Sequence, residues 1–221
     1  MSINIEGRAV GRISIVDDDR AVRQSYEMSV QELGLQPLNE AGPLGSLDEF
    51  APRVLTRADA AVCDFKLRVK KYAGFDGAAL VARWYDSGFP ALLCTKYDRA
   101  SADEIRRFRS KIPVMLTPSD LDPEQIVKGL ATCLRELGGK AAPSRQIWST
   151  VVRVEDVDLE RSRSAYLVVP AWNPNESIRF LLADVDADLQ ALFQPEARLM
   201  AEVNLGAESY ADLFFQNWRS L

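Results

Sequence analysis

The chain has 221 residues, 47% of them hydrophobic, with 27 Lys+Arg against 32 Asp+Glu and no histidine. That length holds one large domain or two small ones. The lack of histidine excludes imidazole metal ligands and His-activated nucleophiles, and no apolar run approaches the length of a membrane span. The first ten residues lack the hydrophobic region of a secretory signal, so the expected location is cytoplasmic. Cys63, Cys94 and Cys133 show no paired spacing and are expected to be reduced core residues.

Strand and helix signals alternate over the first 138 residues. Residues 13–16 (Ile-Ser-Ile-Val) form a short apolar run, the pattern of a strand buried on both faces. Val22, Tyr26, Val30 and Leu33 then recur at helical spacing, with Gly34 as a stop. A weaker strand is expected at 35–38, and Ser46 with Glu49 forms a capping box ahead of Phe50, Val54 and Leu55. Further strands are expected at 60–63, 91–94 and 112–116. Helices are expected at 77–85, from a second capping box at Ser101 and Glu104 through Phe108, and from Asp122-Pro123 to Leu137. Five strands alternating with five helices imply a doubly wound α/β domain over residues 1–138.

Gly138-Gly139-Lys140 opens a linker, placed at 139–146. Beyond it, residues 147–154, 165–169, 178–182, 199–205 and 213–218 are β-rich. One helix is expected at 186–193, and Asn173-Pro174-Asn175 carries a turn signal. This predicts a small antiparallel sheet or barrel over 147–221, with Trp148, Trp172, Phe214, Phe215 and Trp218 packed in it. Residues 146–221 hold six of the 27 basic residues and twelve of the 32 acidic ones. Such an acidic part is disfavoured as a nucleic-acid surface.

Chemistry-bearing residues collect where the expected strands end. Asp17-Asp18-Asp19 follows the first, Asp64 the third, Thr95 the fourth and Thr117-Pro118 the fifth. In an open parallel sheet the crevice beyond the strands' carboxyl ends is where ligands bind. Neighbouring carboxylates raise one another's pKa unless a counter-ion is present, and an all-oxygen donor set suits Mg²⁺. A strand-end carboxylate can also attack phosphorus to form an aspartyl phosphate.

In this order and spacing, residues 11–138 resemble the receiver domain of two-component response regulators. The resemblance rests on Val16-Asp17-Asp18-Asp19, Val62-Cys63-Asp64, Leu93-Cys94-Thr95 and Leu116-Thr117-Pro118. It implies a five-stranded parallel sheet of order 2-1-3-4-5. It also implies Mg²⁺ bound by Asp18, Asp17, Asp64 and the Lys66 carbonyl, a phosphoacceptor at Asp64, and a phosphoryl contact from Thr95. The implied partners are a histidine kinase or another signalling protein, and a second copy of the chain. No external substrate is turned over.

Three departures stand beside the resemblance. Thr117 takes the place of the family's lysine, with Lys96 or Lys66 as substitute cations. The family's switch aromatic on the fifth strand is replaced near Val114, with Tyr97 as a stand-in. The loop after Asp64 is long and basic, with Lys66, Arg68, Lys70 and Lys71. The missing lysine keeps open a phosphorylation-independent pseudo-receiver acting as a structural interaction module. Asp17 and Asp19 also resemble the acid pair of haloacid dehalogenase-type phosphatases, a remote alternative in which Asp64 has no role.

Overall fold

The structure, a computed structural model, describes residues 1–95 and 99–221; Lys96 and Tyr97, two of the expected stand-ins, lie outside the described residues. The chain divides into two compact units, Met1–Lys96 with Lys111–Ala141, and Tyr97–Ser110 with Ala142–Leu221. The division departs from a single boundary at residue 138, because a segment lying between two strands of the first unit groups with the C-terminal sheet.

The first unit opens with a hairpin, β1 (Ile3–Ile5) and β2 (Arg8–Val10), paired antiparallel. Its turn residues Glu6 (φ 49°) and Gly7 (φ 81°) take the two positive φ values that a tight hairpin requires. Then come β3 (Arg12–Val16), α1 (Arg20–Glu32), β4 (Gln36–Asn39), α2 (Leu47–Leu55), β5 (Ala60–Asp64), α3 (Gly77–Asp86) and β6 (Ala91–Cys94). After α4 (Arg99–Ile105), which belongs to the second unit, the first resumes with β7 (Met115–Leu116) and α5 (Pro123–Leu137). The five strands β3 to β7 form a parallel sheet in the order β4-β3-β5-β6-β7.

The caps explain where these helices begin. The Asp19 carboxylate accepts from Ala21 N at the start of α1, Ser46 and Glu49 form a reciprocal capping box on α2, and Asp122 accepts from Gln125 N on α5. Tyr26 and Val30 of α1 join Ile126, Leu130 and Cys133 of α5 over Ile13, Ile15, Val62, Leu92 and Cys94. Strand alternation sends Val16, Cys63 and Leu93 to the other side. In a further aromatic group Phe50 stacks on Phe75, and Trp84 tilts against Phe50 and Phe89 while donating to the Ala51 carbonyl at 3.1 Å. No helix among the described residues is long and apolar enough to cross a membrane.

The second unit is an antiparallel sheet of β8 (Trp148–Asp158), β9 (Ser164–Val169), β10 (Asn173–Leu181), β11 (Arg198–Val203) and β12 (Phe215–Ser220), with α6 (Ala187–Gln190) inserted. Its order is β10-β9-β8-β11-β12, an open sheet rather than a closed barrel among the described residues. Three local expectations are corrected here. Asn173-Pro174-Asn175 is no hairpin turn; it starts β10, where Asn175 N donates to Asn173 Oδ1 and the register shifts before Ile178. Trp148 is 57% exposed, because it opens β8 ahead of the buried positions Val152 and Val154. Ser101 is no cap, since α4 already begins at Arg99.

α4 and the 3-10 turn that begins after it at Arg106 are joined to this sheet by buried charge. Arg106, 2% exposed, donates Nη1 to the carbonyls of Tyr210 (3.0 Å) and Leu213 (2.8 Å) and Nη2 to Asp103 (3.3 Å). Its guanidinium also lies 4.4 Å from the centre of the Tyr210 ring. Asp103 accepts from the Tyr210 hydroxyl and pairs with Arg179, while Arg109 pairs with Asp212 at 2.9 Å. Arg145 donates to the carbonyls of Arg109 and Ser110.

One carboxylate in this unit lacks such support. Both oxygens of Asp184 are buried without a hydrogen-bond partner among the described residues, and the Arg107 Nε lies 4.0 Å away. Burial pushes the Asp184 carboxyl up to about 6, against the opposing charges of Arg107 and Arg106. A folded pKa above the unfolded one means that Asp184 penalises folding most above the folded pKa, and that the penalty fades as pH falls. Asp184→Asn is therefore expected to stabilise the unit by about 1–2 kcal/mol at pH ~8, with the gain gone near pH ~4, as read by urea unfolding across pH.

Candidate functional site: the carboxyl ends of the parallel strands

The register of the sheet brings the sequence-predicted residues together. Val16 pairs with Cys63, Asp64 with Cys94, and Cys94 with Leu116. One residue beyond β3 therefore lies Asp17 beside Asp64, and one beyond β6 lies Thr95, whose N–H donates to the Leu116 carbonyl at 2.9 Å. Gly77 allows α3 to begin against this edge, since a Cβ there would lie 1.8 Å from the Asp64 carbonyl oxygen.

The three consecutive acids do different things. Asp17 is 4% exposed, and its Oδ1 accepts from Asp19 N at 2.7 Å. Burial raises its carboxyl to about 7; the charges of Asp64, Asp18 and Asp19 add to the rise, and the Asp19 N–H opposes it. Asp18 is half-buried, and Asp19 is exposed and caps α1. Asp64 is also raised, first by burial and further by Asp18. The N–H groups of Lys66 and Phe65 and the charge of Lys66 work against that rise. Its Oδ2 accepts from Lys66 N at 2.9 Å. Thr95 is buried.

Thr117 supplies no charge to this edge. Its hydroxyl donates to Asp120 Oδ2 at 2.6 Å and lies 2.7 Å from Ser119 Oγ, and Pro118 starts the short 3-10 turn that follows. Val114 packs against the apolar core rather than standing on β7.

Three further residues surround the acids. Arg23, on α1, donates Nη1 to the Asp17 carbonyl, and its guanidinium lies 5.6 Å from the centre of the Tyr72 ring. The Tyr72 hydroxyl donates to the Glu40 carbonyl at 2.5 Å. Its ring fills the space beside Gly42, where a Cβ would come within 2.4 Å, so the loop after Asp64 is tied to the one after β4. The Tyr26 hydroxyl is buried beside the Cys94 thiol, and burial with the charges of Cys94 and Asp17 pushes its ionisation far up. The fourth position of α1 after its Asp19 cap lies one helical turn from the acids, a signal by which Arg23 was legible. Nothing local in the sequence marks Tyr72 or Tyr26.

The site meets the requirements of a hard cation in one respect and departs in another. The buried Asp17 and the half-buried Asp64 both have carboxyls raised by burial and by neighbouring acids. Among the described residues, however, no group of three or more acidic or thiol side chains is drawn together as a metal cage. The residues therefore fit Mg²⁺, which takes one or two carboxylates and keeps several waters, and not a closed all-protein site.

No family model and no curated protein matches the chain. Among solved structures it is similar to a protein of Chloroflexus aurantiacus assigned as a response regulator, at 24% identity, covering 57% of this chain and 98% of that one with a TM-score of 0.44. It is similar also to a CheY-like receiver domain protein of Methanospirillum hungatei, at 19% identity, covering 60% and 99% with a TM-score of 0.44. The signal receiver domain of a modulated diguanylate cyclase of Desulfovibrio desulfuricans is a third, at 16% identity, covering 59% and 98% with a TM-score of 0.47. Each likeness covers about three-fifths of this chain, which itself holds a five-stranded parallel sheet and a separate five-stranded antiparallel sheet.

Proposed function

We propose that the parallel-sheet unit is an atypical receiver that accepts a phosphoryl group on Asp64 with Mg²⁺ and signals through contacts with other proteins. The observation that carries this reading is the meeting of the buried Asp17, the half-buried Asp64 and the buried Thr95 at neighbouring strand ends. Bound there, Mg²⁺ supplies the positive charge that lets these carboxylates ionise together and a phosphoryl group approach.

The chain's own residues do the rest. Asp17, Asp18 and Asp64, with the Lys66 carbonyl, would hold the cation. The Lys66 N–H fixes one oxygen of Asp64 and so orients the carboxylate. The carboxylate attacks phosphorus, an Asp64 O–P bond forms, and the donor leaves with the electron pair of its own bond to phosphorus. Thr95 offers its hydroxyl to the new phosphoryl oxygens. The helix α4, which begins four residues after Thr95, groups with the C-terminal sheet, so the chain itself is the proposed route of a displacement from Thr95. A histidine kinase or another signalling protein is the fitting partner, and Asp64 turns over no external substrate.

Acetyl phosphate with Mg²⁺ is expected to add one phosphate to the intact protein, as read by mass spectrometry, and Asp64→Ala to add none. Equal labelling of the two proteins would contradict the assignment. A second reading is favoured by Thr117, whose hydroxyl is engaged by Ser119 and Asp120 where receivers carry a lysine. On that reading the unit is a pseudo-receiver: neither protein is labelled, and Asp64→Ala leaves partner binding unchanged.

A further inference from the structure

We infer that Arg23 is the cation of the Asp64 site, performing from α1 the neutralising role for which the end of β7 offers only Thr117. The inference deepens the receiver reading and rests on it. A phosphoaspartate carries about two negative charges at neutral pH. Added to the carboxylates of Asp17 and Asp18, it exceeds what one divalent cation balances, so the edge needs a further positive group. Thr117 is neutral and tied to Ser119 and Asp120. Lys66 acts on Asp64 by its charge, but it is exposed and on a loop.

Arg23 differs in being held in place. Its guanidinium is half-buried, engaged at one nitrogen by the Asp17 carbonyl and set over the Tyr72 ring. Tyr72 is itself fixed by the Glu40 carbonyl and the close approach to Gly42. A guanidinium carries five N–H donors in a rigid fork that matches phosphate oxygens, and an oriented fork loses less freedom on binding than an exposed lysine. Among the described residues no carboxylate forms an ion pair with Arg23, whose bond to a main-chain carbonyl leaves its charge in place. Arg20, one turn earlier on α1, is exposed and supplies an internal control.

The test compares the initial rates at which full-length wild type, Arg23→Met, Arg23→Lys and Arg20→Ala are phosphorylated by acetyl phosphate with Mg²⁺, after circular dichroism has established that each is folded. Arg23→Met is expected to slow labelling by at least about tenfold, with Arg23→Lys recovering most of the loss and Arg20→Ala matching wild type. Rescue by lysine, which methionine matches in length but not in charge, shows that positive charge at position 23 is what the labelling requires. If both Arg23 variants label at the wild-type rate, or if Arg23→Lys loses as much as Arg23→Met, the inference is overturned while the receiver reading stands. A wild type that takes up no phosphate overturns the receiver reading, and the role of Arg23 with it. Should Arg23→Met fail to fold, the comparison of Arg23→Lys with Arg20→Ala decides: a lysine variant slower than about tenfold contradicts the charge role.

Discussion

Arg106→Ala is expected to lower the stability of the C-terminal unit by about 3–5 kcal/mol, the cost of breaking a buried ion pair from one side. The guanidinium is enclosed within the unit, satisfies the carbonyls of Tyr210 and Leu213, and balances Asp103. Alanine removes all of this at once. Two carbonyls lose a donor, each unsatisfied buried group costing about 1–3 kcal/mol, and Asp103 keeps only Arg179 as a cationic partner. Urea unfolding followed by tryptophan fluorescence reports the change through Trp172 and Trp218, which pack against the core of this unit. A loss below about 1 kcal/mol would show that α4 is held by apolar packing rather than by this network. The same variant tests the proposed route of signalling, because it loosens the segment after Thr95 that groups with the second unit.

The second large effect concerns the acid edge in the absence of a divalent ion. Asp17→Asn is expected to stabilise the Mg²⁺-free protein by roughly 2–4 kcal/mol at pH ~8. Burial and the neighbouring charges of Asp64 and Asp18 raise the Asp17 carboxyl from an ordinary 3.8 to about 7. The folded state therefore binds this proton more tightly than the unfolded state. Wild type gains stability as pH falls from above the folded pKa toward the unfolded one, and the advantage of the variant disappears over the same interval. Asparagine keeps an oxygen for the Asp19 N–H, so the local turn survives the change. Mg²⁺ should narrow the difference from the other side, raising the stability of wild type at pH ~8 and leaving the variant nearly unchanged. A variant no more stable than wild type at that pH would mean that Asp17 is already neutralised by a group within the fold.

Much of the first unit was legible because its sequence signals are local and agree with one another. The runs at 13–16, 60–63 and 91–94 are apolar throughout, as strands covered on both faces must be, and each ends at a residue of the candidate site. Asp19, Ser46 with Glu49, and Asp122-Pro123 mark helix starts by chemistry that acts within four residues. The N-terminal hairpin was overlooked although Glu6-Gly7 is a turn pair between alternating apolar residues. Long-range relations left no such trace. That α4 groups with the C-terminal sheet depends on Arg106, Asp103 and Arg109 meeting Tyr210, Leu213 and Asp212, about a hundred positions later. A surface helix rich in charge looks the same in sequence whether its arginines are solvated or buried. The role of Trp148 was misjudged for a related reason: an aromatic residue in a β-rich segment carries no mark of where the sheet's core stops.

At the acid edge the residue types and their order were readable, and the electrostatic state was not. Sequence placed Asp17 and Asp64 at strand ends, but only the fold shows that Asp17 is enclosed and Asp19 is spent on capping α1. Likewise, the substitution of lysine by Thr117 was visible, whereas its engagement by Asp120 and the bond from Arg23 to the Asp17 carbonyl required coordinates.

The most direct measurement is chemical trapping of the modified residue. Wild-type protein treated with acetyl phosphate and Mg²⁺, then reduced with borohydride and mapped by tandem mass spectrometry, is predicted to show reduction at a single side chain, that of Asp64. Reduction at another carboxyl, or at none while phosphate is taken up elsewhere, would contradict the assignment of Asp64 as the phosphoacceptor.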